Sequence, residues 1–161
     1  MKSLRIIIII VLTAVFFPAC SKIPDKLQSP TLRVTIEISD GREVYVFKLL
    51  SGIINENSSV VLVNMKGRVL IKNPSDGGRV FLEFPFEVPE IMPFDTALLD
   101  IDKKTDEKDA IKVLDLLKID RGRLLQGREI DSIFIDDKFI RFEITSCDKK
   151  NIGQLLKGKG K

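Results

Sequence analysis

Histidine is absent from all 161 residues. That removes Ser-His-Asp and Cys-His nucleophilic machinery, and it leaves no imidazole to ligate zinc. Charge of one sign is also missing in any excess, with 26 basic against 23 acidic residues. A domain gripping nucleic acid shows a far more basic balance, so no nucleic-acid partner is expected. The carboxylates offer little to replace histidine. Asp136 and Asp137 are adjacent, and neighbours on a strand point to opposite faces, so they do not converge as acid and base. Asp100, Asp102, Asp106 and Glu107 fail the spacing of a calcium loop: Thr105 stands where glycine is required and Ile111 where the closing glutamate belongs. No GxxxxGK[ST] phosphate loop is present. These absences predict a protein that is not an enzyme and holds no metal or cofactor.

What is present begins with a leader. Lys2 and Arg5 precede an apolar run from residue 6 to 17 broken only by Thr13, and Pro18-Ala19-Cys20 closes it. A basic start, a short apolar core and a small residue before a cleavage point are the parts of an export signal. The run is shorter than the roughly 20 residues needed to span a bilayer. The segment resembles the signal peptide of bacterial lipoproteins. That resemblance implies cleavage after Ala19, acylation of Cys20 and Ser21 as the following residue, while Phe17 and Pro18 depart from the usual pair before the small residue. It also implies a cell-envelope location, lipid-anchored to a bacterial membrane on the exported side. Loss of residues 1–19 would leave 142 residues, with 24 of the basic groups against 23 acidic ones. This length suits one domain. Of the two cysteines, lipidation of Cys20 leaves Cys147 alone, so no intramolecular disulfide forms; Cys147 reads as a small, partly buried hydrophobe.

Residues 20–31 contain Pro24 and Pro30 without periodicity and read as a lipidated N-terminus and tether. A globular domain follows over residues 32–148. Residues 32–39 alternate, with Leu32, Val34, Ile36 and Ile38 on one face. Asp40-Gly41 suits a type I′ turn, so residues 42–49 return antiparallel, setting Ile36 opposite Tyr45, Val34 opposite Phe47 and Leu32 opposite Leu49. Residues 60–63 and 68–72 read as strands on either side of a turn or bulge at Lys66-Gly67, and residues 80–84 as another after the Asn73 to Gly78 breaker. Residues 96–102 resume a strand with Leu99 and Ile101 inward. A helix is predicted over residues 106–118, capped at Thr105 or Asp106, with Ala110, Ile111, Val113, Leu114 and Leu117 as its apolar stripe. Residues 130–135 and 139–145 read as a last hairpin. Lysine-rich residues 149–161 read as a basic, disordered tail, able to add about 1 kcal/mol of attraction per lysine near anionic lipid. The fold class is mainly β with one helix: a small antiparallel β-sandwich or partly closed β-barrel of seven to eight strands.

Two stretches are candidate sites. Pro85, Pro89 and Pro93 remove backbone donors at intervals of four, which argues against a central strand and makes residues 85–94 a lid or an exposed surface. Phe86, Val88, Ile91, Met92 and Phe94 are its candidate partner or ligand contacts. Arg121, Arg123 and Arg128, set around Gly122 and Gly127, are a candidate anion contact. The functional expectation is a non-catalytic lipoprotein that reaches the membrane through acylated Cys20 and serves as a structural or protein-interaction module with an envelope protein partner. The alternative is a binding module for a lipid or other apolar ligand inside the β domain, with residues 85–94 as lid.

Overall fold

The computed structural model describes residues 22–126 and 130–153. Seven strands form two antiparallel sheets packed as a sandwich. One sheet has four strands in the order β5-β2-β1-β6 and the other has three in the order β4-β3-β7. In chain order these are β1 (Gln28–Ser39), β2 (Arg42–Ile54), β3 (Val60–Asn73), β4 (Arg79–Ile91) and β5 (Thr96–Thr105), then helix α1 (Glu107–Leu116), the short helix α2 (Arg121–Leu125), β6 (Ile130–Phe134) and β7 (Ile140–Asn151).

The β1–β2 hairpin forms in the predicted register, with Leu32 opposite Leu49, Val34 opposite Phe47 and Ile36 opposite Tyr45. Its turn residues Asp40 and Gly41 have φ of 52° and 75°. Two consecutive positive φ values define the I′ geometry that matches the strands' twist. Leu32, Val34, Tyr45, Phe47 and Leu49 are all fully buried. Leu99 and Ile101 of β5 face the same core, opposite Ser51 and Leu49 of β2.

In the second sheet β3 runs unbroken through Lys66-Gly67, and the irregularity expected there appears as a shift in its pairing with β7. Gly67 is required by close packing: a Cβ there would lie 2.3 Å from the Glu143 carbonyl oxygen and 2.5 Å from Cζ of Phe86. The Phe86 ring stacks on Phe142 with centroids 5.6 Å apart, so an aromatic pair from the two neighbouring strands fills the space beside the glycine. On the opposite side of this sheet Arg68 reaches Glu143 at 2.7 Å and Glu83 at 3.4 Å, and Arg141 also reaches Glu143 at 2.7 Å. Hydrogen bonding to Arg68 holds the Glu143 carboxyl below the usual range.

Helix α1 begins where its cap predicts: the Asp106 carboxylate accepts from the Asp109 N–H at 2.9 Å, with Glu107 and Asp109 in the first turn. Ala110, Val113 and Leu114 are its buried residues, set against β2 and β4.

Four expectations change. Residues 85–91 belong to β4, and Phe86, Val88 and Ile91 are core residues rather than a lid. Proline is tolerated because β4 is an edge strand: a proline can occupy a paired position wherever its nitrogen faces away from the neighbouring strand. The expected last hairpin does not form, since β6 pairs with β1 and β7 with β3. Between them a 3₁₀ turn, Asp137–Phe139, is capped by Asp136 and carries the chain from one sheet to the other. The domain also extends past both expected boundaries, for β1 starts at Gln28 and Lys149–Lys150–Asn151 pair with Leu62, Val61 and Val60.

Candidate functional site: the Asn55 corner

The chain crosses between the sheets twice at one corner, through residues 55–59 after β2 and residues 92–95 before β5. Asn55 joins the two crossings. It is fully buried, and a buried amide must satisfy its donors and acceptor locally. Its Nδ2 donates to the carbonyls of Val60 at 2.8 Å and Ile91 at 2.9 Å. Its Oδ1 accepts from the Asn57 N–H and from Asn57 Nδ2, and its own backbone exchanges hydrogen bonds with Phe94 and Asp95.

The N-terminal segment is docked at this corner. The Lys22 N–H donates to Asn57 Oδ1 and the Lys22 carbonyl accepts from Asn57 Nδ2, both at 2.8 Å. Lys22 Nζ also lies 3.8 Å from Glu56. Farther along, the Pro30 carbonyl accepts from the Ile135 N–H, and Pro30 is buried. Residues 22–30 therefore line the domain instead of hanging from it. Beside them is a cavity of about 440 Å³ whose walls include Lys22, Lys26, Leu27, Ile54, Glu56 and Phe134.

Phe94 occupies an unusual position here. The Asp95 N–H bonds the Met92 carbonyl, closing a turn with Pro93 second and Phe94 third. Phe94 has a φ of 58°. Positive φ at the third position of a proline-led turn is ordinarily supplied by glycine or asparagine, and a bulky side chain there is strained. The Phe94–Asn55 backbone bond at 2.8 Å holds it, and its side chain is 72% exposed. The predicted surface residues thus divide: Phe86, Val88 and Ile91 face the core, while Met92 and Phe94 stand exposed at the corner. Two further exposed residues are Leu98, which the alternation that turns Leu99 and Ile101 inward turns outward, and Phe134; they are 83% and 65% exposed. Leu98 pairs with Gly52, itself opposite Gln28, and Phe134 pairs with Thr31, which places both beside the start of β1.

Of the arginines considered as an anion contact, Arg121 is already engaged within the fold. Arg121 donates to the Tyr45 hydroxyl at 3.0 Å, bonds Glu107, and approaches Glu43 at 4.0 Å, so carboxylates already neutralise it. Arg123 is exposed in the last turn of α2, and Arg128 lies outside the described residues, as do Cys20 and the leader. The acidic residues weighed for calcium are dispersed: Asp100 pairs with Lys48 at 2.8 Å, Asp106 caps α1 and Glu107 holds Arg121. Cys147 lies inside β7, partly buried, and burial pushes its thiol pKa up.

No helix among the described residues is long and apolar enough to cross a membrane. Comparison with protein-family models, curated proteins and solved structures finds no match for the chain.

Proposed function

We propose that the protein is a lipoprotein of the bacterial cell envelope, acylated on Cys20 and non-catalytic, acting as a structural or protein-interaction module. Residues 1–19 supply the export signal and Cys20 the lipid attachment point. The observation that carries the reading is the docking of Lys22. One residue separates it from Cys20, and a stretch of two residues spans at most about 7 Å. An acyl group on Cys20 would therefore hold this corner of the sandwich next to the bilayer, with no slack between lipid and domain. More than one acyl chain is needed for stable anchoring, each buried methylene contributing about 0.8 kcal/mol.

Expression of the full chain in a bacterial host tests this directly. Intact mass spectrometry should find Cys20 as the first residue, carrying lipid, and Cys20→Ser should move the protein from the membrane fraction to the soluble fraction. A membrane-bound Cys20→Ser variant, or an unmodified Cys20 in the parent, would overturn the proposal. With anchoring established, crosslinking the membrane-held protein identifies the envelope partner.

A further inference from the structure

Seven large apolar side chains are exposed among the described residues, and they are unevenly placed. Ile23 lies on the docked N-terminal segment, and Met92, Phe94, Leu98 and Phe134 lie at the same end of the sandwich as that segment. Ile38 and Val80 lie at the opposite ends of β1 and β4 from it. Such a patch at one corner of a domain ordinarily marks a surface that is covered in use.

We propose that the bilayer itself covers it: Phe94 and Leu98, with Phe134 beside them, sit in the headgroup–acyl boundary of the membrane that holds Cys20. This rests on the lipoprotein reading and goes beyond it, because an acylated cysteine alone fixes attachment and leaves orientation free. Three observations select lipid as the occupant. Lys22, bonded to Asn57 on both its N–H and its carbonyl, leaves only Ser21 between the domain and the acylation point, so the corner cannot stand off from the surface. The aromatic ring of Phe94 is projected outward by a backbone conformation that glycine would adopt at lower cost, and Asn55 keeps it there. The charges around the patch, Lys22, Lys26, Asp25, Glu56 and Asp95, are mixed in sign, so apolar insertion rather than attraction to one headgroup charge drives the seating.

The chain contains no tryptophan, which permits single-residue reporters. Full-length acylated protein carrying Phe94→Trp, Leu98→Trp, Phe134→Trp or Ile38→Trp is reconstituted into phosphatidylethanolamine–phosphatidylglycerol vesicles containing a lipid brominated at mid-chain. Flotation with the vesicles reports anchoring, and bromine quenching reports depth. Indole seated about 5–10 Å into the interface should be quenched at least about twofold more at positions 94 and 98 than at position 38, with a blue-shifted emission. Protein that floats while all four reporters remain equally unquenched overturns the seating and leaves the lipoprotein reading standing. Protein that fails to float overturns both. Reporters at 94 and 98 that are blue-shifted but unquenched, in proportion to protein density, show a second protein copy on the patch and likewise overturn the proposal.

Discussion

Truncation of Asn55 to alanine is the sharpest test of how the corner is held. The side chain supplies donors to two carbonyls, those of Val60 and Ile91, and an acceptor to Asn57. Asn57 is partly exposed, and its released groups recruit water at little cost. The carbonyls are different, because a buried polar group stripped of its partner costs about 1–3 kcal/mol. The Ile91 bond is buried and the Val60 bond part-buried, which places the expected loss for Asn55→Ala at about 2–4 kcal/mol. A domain of this size is stable by about 5–15 kcal/mol, so the loss is readable by urea unfolding of the chain lacking residues 1–20. The midpoint should fall with the slope unchanged. Asn55→Asp keeps the shape but turns an oxygen toward two carbonyls. Its new carboxyl is therefore stable only when protonated, and the variant should weaken further as pH rises through the carboxylate range. Asn57→Ala should cost less than Asn55→Ala. A loss under about 1 kcal/mol for Asn55→Ala would mean that water substitutes for the amide, and the account of the corner as a dry junction would be refuted.

Gly67→Ala places a methyl group against the Glu143 carbonyl and the Phe86 ring, so overpacking should cost about 1–3 kcal/mol in the same unfolding assay. Glu143→Gln removes a carboxylate whose pKa is depressed in the fold by Arg68. A depressed carboxyl contributes stability above its unfolded pKa and loses it as pH falls through the folded value. Parent and variant should therefore differ in Tm at neutral pH and converge in acid. Replacing both Pro85 and Pro89 by threonine restores two outward backbone donors on β4, and concentration-dependent self-association should appear in size-exclusion chromatography.

Much of this architecture is legible from local pattern. The first hairpin, its register and the α1 cap follow from alternation, an Asp-Gly pair and an aspartate followed by acidic residues, each acting within a few positions of itself. What failed depended on partners distant in sequence. Pro85 and Pro89 argue against a central strand, but nothing local reveals that β4 lies at an edge. Residues 136–138 look like a hairpin turn, whereas each flanking strand pairs with one far earlier in the chain: β6 with β1, setting Ile130 opposite Val34, and β7 with β3, setting Ile140 opposite Ile71. Nothing in the sequence singles out Asn55, because the carbonyls it serves, at Val60 and Ile91, share no periodicity with it. Of the predicted surface, Met92 and Phe94 are exposed at the corner, and the turn that makes Phe94 conspicuous is visible only in its φ.

The prolines of β4 bear on how the protein, were it held at a membrane as proposed, would tolerate crowding. Proteins confined to a surface meet one another at high local density, and an open strand is a template for joining neighbours into ribbons. Along β4 the nitrogens of Pro85 and Pro89 offer an incoming strand no hydrogen where a ladder would need one. The other borders have defences of their own: β5 carries Asp100, Asp102, Lys103 and Lys104, β7 carries Arg141, Lys149 and Lys150, and β6 is only five residues long. Among the described residues every border of the two sheets is thus poorly suited to strand addition, and copies packed side by side would remain separate particles.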